Sequence, residues 1–257
     1  MIRPRLRLRS LSALALVSIF VFTFSAAAET TNAWSDAEAQ GRALVQKILE
    51  QRPSGNYTNT GALTIRANGS RTAIPVQIET IVTDSNWQAA YSAKVSPGAK
   101  VDAAGDCTSL RITHCDNLPN AYAVARVNSP VRVGGPDDLV RPFAGSDYWV
   151  GDLGLEFFHW PQQRVIKKEF HRQCACMVLE STNPNPAANS YSRVVAWVDE
   201  DSLGIVDANA YDASGKKLKN FYPKSLEKVN GQYQLESMVM ENLQTGSKSV
   251  FEFDLHK

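Results

Sequence analysis

The feature that most constrains this chain is a long run with a period of two. From Arg71 to about Asp84, Ile74, Val76, Ile78, Thr80 and Val82 share one face, while Gln77 and Glu79 share the other. Neighbouring side chains of a strand point to opposite faces, so this alternation predicts a strand with one dry and one wet side. At ~3.3 Å per residue it would span ~40 Å, long for a globular sheet. Pro75 stands near its start, where a missing backbone donor is tolerated best. Asn68-Gly69 precedes it and follows a second apolar run, Ala62–Ala67, which reads as a hairpin because glycine takes positive φ freely.

The same pattern recurs to the C-terminus. Strands are predicted at 87–95, 108–114, 122–127, 164–170, 174–180, 191–199, 204–211, 217–222, 232–240 and 248–255. Asp212-Ala-Ser-Gly215 and Asn230-Gly231 mark further hairpin turns. Phe251, Phe253 and Leu255 alternate with Glu252 and Asp254, so that strand is half-buried. Val194 to Val198 is apolar on both faces, which predicts a central strand. About eleven strands in successive hairpins form an antiparallel sheet that must twist, curl or close.

Two helices are predicted beside the sheet. Ser35 and Glu38 form an S-x-x-E capping box, which places the first helix start there. Ala37, Gly41, Leu44, Val45 and Ile48 then fall on one helical face, and Pro53 and Gly55 end it. Its polar face mixes charges, so packing on the sheet is expected rather than lying in a membrane surface. Asp152–Trp160 reads as a second, short and strongly apolar helix. The expected fold class is α+β and mostly β: a curled antiparallel sheet with a helix across its concave side.

The N-terminus reads as a secretory signal. Arg3, Arg5, Arg7 and Arg9 precede an apolar stretch, Leu11–Phe24, and the small residues Ala26, Ala27 and Ala28. Its 14 residues fall short of the ~20 that a membrane span needs. Cleavage is expected near Ala28, leaving residues 29–257 as one domain, exported to the periplasm. Loss of the four arginines lowers Lys+Arg from 27 to 23 against 26 acidic residues, a formal charge of −3. No basic patch then remains to argue for nucleic acid.

Residues 142–180 are more distinctive. Pro142-Phe-Ala-Gly-Ser-Asp-Tyr-Trp149, Asp152-Leu-Gly-Leu-Glu-Phe-Phe-His-Trp-Pro161 and Cys176-Met-Val-Leu-Glu180 resemble the outer-membrane lipoprotein-sorting protein family, the group related to the periplasmic carrier LolA. Val195-Ala-Trp-Val-Asp199, Tyr211-Asp-Ala-Ser-Gly-Lys216, Lys228-Val-Asn-Gly231 and Phe251-Glu-Phe253 look like that family's successive hairpins. The resemblance implies an unclosed β-barrel with helices plugging its opening. It also implies carriage of acyl chains or lipidated protein between membranes, with transient membrane-associated partners.

The candidate ligand-binding residues are Trp87, Tyr91, Trp149, Leu153, Phe157, Phe158 and Trp160. Large apolar groups crowded into 152–160 suit a lid over an acyl-chain cavity, since each buried CH₂ contributes ~0.8 kcal/mol. Ordinary core packing explains them as well. If the core is filled, the same fold would serve as an envelope sensor or scaffold for a protein partner.

Four cysteines in an exported chain, Cys107, Cys115, Cys174 and Cys176, point to disulfides. An extended 108–114 would hold Cys107 and Cys115 ~26 Å apart, far beyond disulfide reach. His114-Cys115 and His171-x-x-Cys174-x-Cys176 offer thiolate and imidazole for a metal, though not at the spacing of structural zinc sites. Neither G-x-S-x-G, H-E-x-x-H nor a phosphate loop occurs. The expectation is a non-catalytic binding protein without cofactor or resident metal, acting as a monomer.

Overall fold

A computed structural model describes residues 28–95, 106–116, 118–126, 129–229 and 232–255. The predicted signal peptide, most of the 96–106 loop and the Asn230-Gly231 turn lie outside them. The chain opens on helix α1 (Ala28–Leu49). Strands β1 (Tyr57–Ala67), β2 (Ser70–Val82), β3 (Asn86–Ala93), β4 (Ser109–Cys115), β5 (Ala121–Ala125) and β6 (Arg132–Val133) follow. Next come the short helices α2 (Pro136–Leu139) and α3 (Val150–Leu153), then a 3-10 turn, Glu156–His159. The second half is β7 (Gln162–His171), β8 (Cys174–Thr182), β9 (Arg193–Asp199), β10 (Ile205–Tyr211), β11 (Lys217–Val229), β12 (Gln232–Asn242) and β13 (Ser247–Phe253).

All thirteen strands join one sheet, in the order β6-β5-β4-β3-β2-β1-β13-β12-β11-β10-β9-β8-β7. Every pairing is antiparallel, and the ends β6 and β7 do not pair, so the sheet is an unclosed barrel. First and last strands meet in its middle, with Gly61 opposite Phe253 and Arg66 opposite Lys248. The sheet is thus two meanders joined along β1 and β13.

The period-two reading of β2 holds: Ile74, Val76, Ile78 and Thr80 are buried and their neighbours exposed. Asn68 and Gly69 both take positive φ, 51° and 74°, as a two-residue hairpin requires. Other expectations need correction. Helix α1 starts at Ala28, so Ser35 and Glu38 lie inside it and do not cap it. The stretch 152–160 is not one helix. It breaks after Leu153, because Leu155 sits in the left-handed region at φ 49° and a 3-10 turn begins instead. Strand β9 lies third from one edge rather than centrally. Its outer face is apolar because long side chains cover it, with Trp197 donating to Glu169 and Arg193 reaching Glu180.

Two apolar clusters fill the inner face. The first joins β1–β5, β12 and β13 through Leu63, Ile74, Leu110, Ile112, Phe143, Tyr148 and Phe251, among others. The second joins α1 to β7–β10 through Leu44, Val45, Phe157, Phe158, Leu179, Ala196 and Val198. Gly41 sets the approach of α1. A Cβ there would stand 2.5 Å from the backbone of Gln163 and Arg164, so only glycine lets the helix rest on β7.

Candidate functional site

Residues 136–160 form a strap across the inner face, and the Ser-Asp-Tyr-Trp run fastens it. The Ser146 hydroxyl donates to the Phe143 carbonyl, closing a tight turn. The Asp147 carboxylate accepts from the hydroxyls of Ser247 and Ser249 on β13. Tyr148 is buried against Phe251, ring centroids 5.1 Å apart. Asp152 caps α3 by accepting from the Trp149 amide at 2.8 Å.

A buried cation completes the fastening. Lys219 on β11 donates to the Asp147 carbonyl at 2.7 Å and to Asp152 Oδ2 at 3.3 Å. Its Nζ lies 3.6 Å from the centre of the Trp149 ring. Tyr191 stacks on Trp149 at 4.5 Å and donates to the same Asp152 oxygen. Burial pushes the Lys219 ammonium below its ordinary range, and Asp152 opposes that shift. Burial and the Asp152 charge also push the Tyr191 hydroxyl well up, so it stays protonated as a donor. A charge pair this deep is expensive to break one partner at a time.

At the strap's other end, Tyr122 donates to Glu156 Oε2 at 2.7 Å, and Asn120 donates to the Gly154 carbonyl at 2.8 Å. Burial raises the Glu156 pKa, partly offset by the Tyr122 bond. A side chain at Gly154 would collide with the Tyr122 hydroxyl. Helix α2 is anchored by buried Asp138, which accepts from Arg132 and Arg141 and is held at about 2, mainly by Arg132.

Between this strap and the β8–β9 loop lies a cleft of about 160 Å³. Its walls are Leu139, Trp149, Phe157, Trp160 and Tyr191, and Asp152 and Glu156 lie at its base. Asn183, Asn185 and Ser190 of the loop form its outer rim. A pocket of about 30 Å³ beneath shares Asp152, Phe157 and Tyr191 with it and reaches Lys219.

The seven expected ligand residues therefore separate. Trp149, Phe157 and Trp160 meet in the cleft. Phe158 is buried against α1, and Leu153 packs on the first cluster. Tyr91 packs edge-on to Phe143 and Phe251, and burial pushes its hydroxyl up to about 12. Trp87 stacks on His114 at 3.8 Å, away from the cleft. Tyr191, Leu139 and Glu156 were not singled out by sequence. Tyr191 is 39 residues from Asp152 and no local pattern links them.

The cysteines do not pair: all four are free thiols. Cys107 is buried, gives its thiol to the Ser109 carbonyl, and is pushed up to about 11 by burial. His171 Nε2 faces Asp207 at 3.1 Å rather than the two nearby cysteines. Among the described residues no group of three or more histidine, cysteine or acidic side chains converges as a metal site requires. No helix among them is long and apolar enough to cross a membrane.

Solved structures of LolA-like proteins share this fold, an unclosed antiparallel sheet. A DUF1329 family protein from Desulfovibrio piger superposes with a TM-score of 0.65 at 18% identity, over 85% of this chain and 91% of that one. An assigned outer membrane lipoprotein-sorting protein domain from Vibrio parahaemolyticus gives 0.67 at 15% identity, over 85% and 92%. A LolA superfamily protein from Nitrosomonas europaea gives 0.58 at 17% identity, over 84% and 91%. Comparison with curated protein sequences returned no match. A family model described as an uncharacterized protein matches residues 124–256, just over half of the chain, and the protein belongs to that family.

Proposed function

We propose that this protein is an exported, periplasmic carrier or chaperone that binds a lipidated protein or another hydrophobic ligand without covalent chemistry. The observation that carries this reading is the aromatic cleft beside a strap that is otherwise tightly fastened. The LolA-like fold supports it, as does the signal-like N-terminus. The cleft is smaller than the ~300–1,000 Å³ usual for a small-molecule site, so a long chain needs one wall to move. The rim loop 183–190 is the wall with least to lose. Most of its bonds are internal, such as Ser190 to the Ala187 carbonyl and the Asn185 amide to Asn183, with the Asn183 amide tied to the Ser192 carbonyl at its base. The strap would have to break Lys219–Asp152 and Asp147–Ser249.

Uptake of a fluorescent acyl probe by the mature protein tests this. A Trp160→Ser variant should stay folded with a lowered thermal melt, since Trp160 also packs on the second cluster, and lose at least about tenfold in affinity, the effect of ~1.4 kcal/mol. Equal uptake by the variant contradicts the assignment of the cleft.

A second reading, a scaffold that binds a protein partner, is favoured by the filling of the first cluster, where Phe143, Tyr148 and Phe251 are fully buried. It is the reading that remains if no ligand enters.

A further inference from the structure

One row of the sheet sets cations side by side. Arg66 on β1 stands opposite Arg71 on β2 and opposite Lys248 on β13. Residues directly opposite in an antiparallel ladder share a face, so three positive side chains lie in line across neighbouring strands, an arrangement that costs stability. Lys248 is tied to Glu241 at 2.8 Å. Among the described residues no carboxylate pairs with Arg66 or Arg71, and both are exposed. They flank a hollow of about 320 Å³ at the hairpin tip, completed by Gly69, Ser70 and Gly246. An anion held between the two guanidinium groups would offset their repulsion.

The neighbouring turns extend this surface. Gly246 belongs to the β12–β13 turn, which presents Leu243, 48% exposed. The Gln244 side chain of that turn donates to the Lys217 carbonyl at the β10–β11 turn, at 2.9 Å. Lys216 and Lys217 stand there, and the acid of that turn, Asp212, is taken up by the Ser214 hydroxyl and the amides of Ser214 and Lys216. All three turns lie at one end of the sheet, the end that also carries the rim loop 183–190. A groove of about 560 Å³ runs between that loop and the 212–214 and 242–244 segments, with Trp149 and Lys219 in its wall. At the opposite end the turns and strand ends carry Asp84, Asp116, Asp199, Glu200, Asp201 and Asp254, which outnumber Arg52 and Arg172.

We infer that the basic end docks on the surface of a membrane containing anionic phospholipid. A lipid phosphate sits between Arg66 and Arg71, Lys216 and Lys217 lie against neighbouring headgroups, and Leu243 reaches the acyl boundary. A flat anionic layer meets three separate turns at once and gives an exposed leucine an apolar depth to enter, whereas a free phosphate would use the hollow alone. The same surface repels the acidic end, so the protein is oriented with the groove and the rim loop towards the lipid. This deepens the carrier reading by naming where its ligand is collected or delivered. Docking needs no ligand in the cleft, so the two readings fail separately.

Flotation of the mature protein with vesicles tests it. The protein should bind vesicles of two parts phosphatidylcholine to one part phosphatidylglycerol, bind pure phosphatidylcholine at least about tenfold more weakly, and leave the anionic vesicles in half-molar salt. Each basic residue near such a surface adds about fivefold to binding, so the double variant Arg66→Gln, Arg71→Gln should lose at least about tenfold. Its thermal melt should be unchanged or higher, because a like-charge pair is removed. The double variant Lys167→Gln, Lys168→Gln removes the same charge from β7, outside these turns, and should bind as the native chain does. Native protein that ignores the anionic vesicles, or binds both compositions equally, overturns the inference. So does an equal loss in the two double variants, which would mean a response to net charge and not to this face. Vesicle binding without uptake of the acyl probe supports the docking face and removes the carrier reading.

Discussion

The two meanders share a strand chemistry and differ in what covers them. Over β1–β5 the strap contributes Phe143, Tyr148 and Val150, all buried, and the first cluster is closed by Phe143 stacked on Phe251 and Tyr148 edge-on to it. Over β8–β11 the strap turns polar at its base. Lys219 and Asp152 take the place of apolar groups, Leu155 breaks the helix, and the cleft opens beside them. A filled half can hold the strap rigid while the other half receives a ligand. The polar fastening fixes the strap's register where apolar packing alone would let it slide.

The comparison can be broken from either side. Lys219→Met leaves Asp152 buried without its cation, and unfolding free energy in urea should fall by ~3–5 kcal/mol. The double variant Lys219→Met, Asp152→Asn should recover a good part of that loss. Failure of the rescue would show that Lys219 acts through packing alone. On the filled side, Phe251→Ala should cost ~3–5 kcal/mol, with probe affinity unchanged in the protein that remains folded. A matching loss of affinity would mean that the ligand enters the first cluster instead.

Acid should loosen the strap's far end. Burial, with His159 nearby, lowers the pKa of His114 from 6.5 to about 4, and burial lowers His159 too. The unfolded chain therefore binds protons first, and stability falls as pH drops from about 6.5 towards 4, by up to ~3 kcal/mol for His114. Urea midpoints across that range should show the decline, and His114→Phe should flatten it. Smallest of the effects, Gln173→Gly should stabilise the β7–β8 turn by ~1 kcal/mol, since a side chain at positive φ is strained there. Arg172→Gly should not match it, because Arg172 pairs with Asp207 at 3.2 Å and stacks over Tyr222.

Most strands were legible because period two and turn chemistry are local. Asn68-Gly69 and Asp212–Gly215 predicted their hairpins, and Gly215 does take positive φ, 82°. The Ser-Asp-Tyr-Trp run was visible as distinctive, and in the structure it fastens the strap. What sequence hid is long-range. Lys219 and Asp152 are 67 residues apart, and Asp147 and Ser249 are 102 apart. The capping box at Ser35 misled because a capping signal inside a longer helix looks the same as one at its start. The stretch 152–160 read as one short apolar helix. The left-handed Leu155 instead sends Leu153 into one cluster and Phe157 and Phe158 into the other.

Native mass spectrometry of the mature protein purified from its own envelope, with lipid extraction of the same sample, tests the central claim most directly. A carrier should arrive with phospholipid or lipopeptide bound, and Trp160→Ser should arrive without it. An apo mass that stays unchanged after incubation with lipid would contradict the carrier reading and leave the scaffold.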